Sequence, residues 1–123
     1  MNSQAPGGDS WIVSLGDVDI ERLSGDPSAP PAQLSGAKRE SWATMLAPID
    51  ANDRSQTGAI SQFMREHGFE TNVAPDPGET FLVRSLSPRG HDIAAVVRVL
   101  ASEANGITFA WRVLKTWKVR KNP

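Results

Sequence analysis

The stretch "RGHD", residues 89–92, gathers an arginine, a histidine and an aspartate within four positions, with Ser85 and Ser87 just upstream. At the start of a helix, free backbone N–H groups and the Arg89 guanidinium would receive an anion such as a phosphate or a carboxylate. Arg89 and His91 are therefore the candidate anion-binding pair, and His91, Asp92 and Arg89 are where any catalysis would be sought first. The same residues equally suit plain helix capping by Ser87 or Asp92 beside a solvated arginine. Neither the glycine spacing of a Walker loop nor a dinucleotide fingerprint accompanies them.

Other chemistry-bearing types are sparse. The chain has no cysteine and no tyrosine, and its two histidines, His67 and His91, form no metal-ligand spacing. The carboxylate pairs Asp17 with Asp19 and Asp50 with Asp53 fall in expected surface turns, which does not suit a hydrolytic dyad. No Gly-x-Ser-x-Gly occurs. These absences disfavour an enzyme, and the sequence points to no metal and no cofactor.

A different signal lies in "ITFAWRVLKTWKVRK", residues 107–121, which holds two of the four tryptophans. Residues 107–123 carry five basic side chains and no acidic one, although the whole chain has a net charge of −1. Lys115, Trp117, Lys118, Arg120 and Lys121 are the candidate partner-binding residues. On an extended edge they offer main-chain hydrogen bonds, an aromatic anchor and cations for an acidic protein partner or for a second copy of the chain. The same segment also suits nucleic acid, with Trp117 stacking on a base and the cations on phosphates. A plainer role for these cations is to guard a strand edge against aggregation.

The elements that must position these residues follow from apolar spacing. Residues 1–10 contain Pro6, Gly7 and Gly8 and read as a flexible tail ahead of one domain, residues 11–123. "WIVSL GD VDIERL" predicts a hairpin turning at Gly16-Asp17; the competing reading ends the strand at Leu15 and forms a short helix with Ile20 and Leu23 inside. Residues 24–36 should be irregular, having three prolines and two glycines. Trp42, Met45, Leu46 and Ile49 predict a helix ending before Pro48, and Ile60, Phe63, Met64 and His67 a second, capped by Asp53 or Ser55 and closed by Gly68.

A short extended segment, a turn at residues 75–78 and a strand from Thr80 to Leu86 come next. Ile93, Val96, Val97, Leu100 and Ala104 predict a third helix, started by Ser87-Pro88 and closed by Asn105-Gly106. Alternation of Ile107, Phe109, Trp111 and Val113 then predicts a last strand over 107–114 with Trp111 in the core; Lys115 interrupts the apolar series, and 115–121 continues as an edge, a bulged extension or an arm beyond the helix layer. The expected fold is α+β: a mixed sheet of four to five strands with about three helices mainly on one face. No membrane span or secretory leader is expected, which favours the cytoplasm. The expected function is that of a small non-enzymatic interaction module, such as an adaptor, inhibitor or regulatory subunit, able to form a homodimer.

Overall fold

The computed structural model describes residues 9–67, 76–87 and 90–119. The chain is α+β, with strand β1 at Asp9–Gly16, helix α1 at Gly36–Leu46, helix α2 at Arg54–Glu66, and strands β2 at Thr80–Leu86, β3 at Asp92–Glu103 and β4 at Gly106–Thr116. The strands form one antiparallel sheet in the order β1-β2-β3-β4. The sheet is thus not mixed, and the described residues contain two α-helices rather than three.

Both α-helices stand close to their predicted positions. Trp42, Met45 and Leu46 of α1 are buried, and Ala47 turns extended ahead of Pro48, whose ring disfavours a helical residue before it. In α2, Asp53 caps the first turn by accepting from the N–H groups of Ser55 and Gln56, and Ile60 and Met64 face inward. These side chains meet Trp11, Val13, Leu15, Leu82, Leu86, Ala94 and Val96 in the main core, on one face of the sheet.

Two predicted elements are corrected. The chain does not make a hairpin at Gly16-Asp17: β1 pairs with β2 instead, and Ile20–Arg22 is a short 3-10 helix capped by Asp19, with Ile20 and Leu23 buried. The larger change is at residues 92–103, a twelve-residue strand where a helix was expected. From Ile93 to Ala101 only Arg98 is polar, so the apolar positions fit a helical and a strand period equally well. The β-branched Ile93, Val96, Val97 and Val99 favour the strand, and the two residues Ala104 and Asn105 link it to β4, with Glu103 opposite Gly106. There is accordingly no helix start at "RGHD".

Several expectations fall outside the described residues: most of the N-terminal tail, the Gly68 cap, the segment leading into the turn at 76–78, and Pro88, Arg89, Arg120 and Lys121. β1 begins at Asp9, two positions before the expected Trp11.

Three arginines line the helix-covered face and hold the connections to it. Arg84 is fully buried and makes a bidentate pair with Asp92, Nε to Oδ1 at 2.8 Å and Nη2 to Oδ2 at 2.7 Å. Its Nη1 also donates to the Met45 and Ala47 carbonyls at the end of α1, at 2.9 and 2.5 Å. Arg98 donates to the Val18 carbonyl at 2.8 Å and to Asp17 at 2.7 Å. Arg112 donates to the Ile20 and Leu23 carbonyls around the 3-10 helix. Each guanidinium satisfies carbonyls that a crossing segment would otherwise leave unpaired under the core.

Candidate functional site

The most distinctive surface is the outward end of β4, and a β-bulge creates it. β3 contributes Ala94 and Ala95 where β4 contributes Val113, Leu114 and Lys115, so Leu114 is an extra residue. A one-residue insertion reverses which side chains face which side. Before the bulge, Ile107, Phe109, Trp111 and Val113 point away from the helices and are exposed. After it, Trp117 comes back to the helix side and packs against the main core with Leu114.

The expected burial of Trp111 is therefore overturned: Trp111 is 63% exposed, and the core-packed tryptophan of this segment is Trp117. The break in the apolar series at Lys115 falls at this bulge, but alternation alone did not say which face the helices cover. The Arg84 guanidinium carbon lies 3.6 Å from the centre of a Trp117 ring, a desolvated cation–π contact. The Trp117 Nε1–H is buried and finds no acceptor among the described residues.

On the face away from the helices, the cross-strand rows read Ser10, Ser85, Ile93, Thr116; Ile12, Val83, Ala95, Val113; and Ser14, Phe81, Val97, Trp111. Val99 pairs with Phe109 and Ser102 with Ile107 beyond them. None of these residues is charged; the one carboxylate beside them is Glu79, whose carbonyl accepts from the Val99 N–H and whose side chain accepts from the Ser14 hydroxyl. Ile12, Phe81 and Val99 are buried, with Val83 packed on them, whereas the β4 side chains are open. Half of this face has the composition and burial of a core; the other half has the composition alone. β4 also has no strand neighbour on its outer side among the described residues.

The candidate basic residues are spread rather than clustered. Lys115 is half-buried on the helix side, its Nζ 5.5 Å from the Trp117 ring centre. Lys118 is exposed and borders a cleft of about 390 Å³ with Pro48, Ile49, Asn52, Gln56 and Val119. Trp117 presents one ring face to Arg84. Near Lys115, Asp26 is held below the ordinary carboxylate range, chiefly by the Ser28 N–H, then by the Ser28 hydroxyl and the Lys115 charge, against a small opposing effect of desolvation.

Of the expected anion pair, His91 is exposed in the β2–β3 connection, with Nε2 2.7 Å from the Ser85 hydroxyl and its carbonyl accepting from Ser87 N–H. Asp92 beside it is committed to Arg84, so the two do not act together on a substrate. Inside the cleft, Gln56 accepts from the Asp50 N–H and Asp50 from the Asn52 N–H, leaving a braced turn rather than a set of convergent reactive groups. No cluster of three or more His, Cys, Asp or Glu able to hold a metal occurs among the described residues, and no helix among them is long and apolar enough to cross a membrane.

Sequence reasoning pointed to residues 115–121 of this segment, whereas the exposed apolar row lies upstream, at Ile107, Phe109, Trp111 and Val113. The available signal was the run 93–101, apolar but for Arg98, which marks a two-sided apolar strand and hence a second face needing cover. Compared with protein-family models, with curated proteins and with solved structures, the chain matches none.

Proposed function

We propose that this protein is a small interaction module, an adaptor, inhibitor or regulatory subunit of the cytoplasm, that docks a protein on the outward face of β4. The observation that carries this is the alignment of Ile107, Phe109, Trp111 and Val113, all exposed, on one face of an edge strand. A solvent-facing antiparallel sheet ordinarily alternates apolar and polar positions. Here the exposed face is apolar, and an apolar patch of this kind marks an interaction surface. Trp111 and Phe109 supply the large rigid contact area that anchors protein interfaces. Lys118, at the end of the same segment, adds a positive rim that favours an acidic neighbour.

A photo-crosslinking residue placed at position 111, and separately at the exposed Glu21 on the opposite side, tests this inside the source cell. A discrete adduct from position 111 and none from position 21 is the expected result. If neither position yields one, the docking role is lost.

A further inference from the structure

The uncharged composition of the β3 and β4 part of the outward face narrows what can occupy it. Transient interfaces between different proteins are about as polar as the rest of a protein surface, whereas homodimer interfaces are more apolar and depleted of charge. The outward positions of β3 and β4, from Ile93 to Thr116, carry no charged residue; Glu79, in line with Val99, sits on the β2 side and accepts from the Ser14 hydroxyl. Such an apolar half-face complements a second copy of itself. Two-fold symmetric association is the commonest way for such a patch to be covered.

The exposed area is of the right order. Trp111 is 63% exposed and Ile107, Phe109 and Val113 are between 42% and 54%. With about 150–250 Å² on each large side chain, the four leave about 400 Å² of apolar surface open on each chain. Two copies would hide about 800 Å² from these side chains alone. The half-buried Ile93, Ala95 and Val97 and the adjoining backbone extend this toward the roughly 1,200 Å² at which stable interfaces begin.

Charge is kept clear of the contact by the fold itself. Arg98 and Arg112 lie in β3 and β4 but point to the helix-covered side, where they hold Val18, Ile20 and Leu23. Lys115 follows them inward after the bulge. Stacking the β3 and β4 parts of two outward faces therefore brings no like charges of these strands together, and Glu79 stays on the β2 side with Ser14.

We propose that the protein forms a symmetric homodimer in which the outward faces of β3 and β4 of two copies stack, with Trp111 and Phe109 at the centre. This rests on the docking role given above and names its occupant. The burial available corresponds to an equilibrium within reach of ordinary protein concentrations rather than to an obligate pair.

Sedimentation of the full chain from about 1 to about 200 μM tests it, because a Kd in the micromolar range crosses that window. The expected mass rises from 13.3 kDa toward twice that value. Tryptophan emission should shift to shorter wavelength over the same range, and Trp111→Phe should remove the shift while the other three tryptophans remain. Trp111→Arg should weaken association roughly a hundredfold or more, since an aromatic anchor is lost twice per dimer. Glu21→Ala, exposed on the helix-covered side, should leave it unchanged.

A chain that stays monomeric throughout, or a Trp111→Arg dimer as tight as the parent, overturns the proposal. Circular dichroism identifies a variant that has not folded, and Phe109→Ser then serves as the second probe. A monomer whose position-111 crosslink joins a different protein removes the second copy but keeps the docking role. Absence of any adduct removes both.

Discussion

Replacing Arg84 by alanine would remove the only guanidinium of the three that is fully buried and paired with a carboxylate. Asp92 is 4% exposed, and both of its oxygens accept from Arg84. The variant strands that carboxylate in the core, frees the Met45 and Ala47 carbonyls, and takes away the surface on which Trp117 lies. Removing one member of a buried ion pair costs about 3–5 kcal/mol, because the other is left uncompensated. With a urea slope of about 1–3 kcal/mol/M, the unfolding midpoint should fall by about 1–5 M. Asp92→Ala should cost less than Arg84→Ala, since Arg84 keeps two carbonyl acceptors and the ring, whereas an isolated Asp92 loses both of its side-chain bonds. Urea unfolding followed by circular dichroism and fluorescence measures both. A loss below about 1 kcal/mol for Arg84→Ala, or the reverse order of the two variants, would refute the assignment of Arg84 as the tie between β2, β3 and α1.

Trp117→Phe should unfold at the same urea concentration as the parent or a higher one, because it discards a buried donor without an acceptor, a deficit worth about 1–3 kcal/mol. In contrast, Trp42→Ala should cost about 3–5 kcal/mol and Trp111→Ala, measured at low concentration, about 0.5 kcal/mol or less, as one indole is buried and the other faces solvent. At Gly25 an added Cβ would stand 2.8 Å from the Leu114 carbonyl oxygen, so thermal unfolding of Gly25→Ala should show a loss of about 1–3 kcal/mol. The folded-state pKa of Asp26 is depressed, so its contribution to stability is full above the ordinary carboxylate value and disappears as pH falls through the lower folded value. Urea midpoints taken from roughly pH 5 downward should therefore decline less steeply for Asp26→Asn than for the parent.

The helices were legible because each has a single apolar stripe and a definite stop. Pro48 ends α1, and Asp53 starts α2 with two side-chain bonds to backbone N–H groups. β3 was not legible from periodicity, since a strand apolar on both faces contains a helical stripe by coincidence. Its β-branched residues and its two-residue link to β4 were the clues that should have prevailed. The turn into Ile20–Arg22 was misread for a different reason: the partner of β1 is β2, more than sixty residues away, and long-range pairing leaves little local trace. As for the site, alternation from Ile107 to Val113 correctly gave a strand with one apolar face. It could not say on which side the helices lie; Lys115, breaking the apolar series, was the sign of the insertion at Leu114.

That insertion lets neighbouring segments of one strand be tuned separately. Upstream of Leu114, a substitution on the outer face alters what the molecule adheres to; three positions downstream, at Trp117, the same kind of substitution alters whether it holds together. Deleting Leu114 would couple the two properties again, turning the interior indole outward or the outer row inward, with no setting of the strand that serves both.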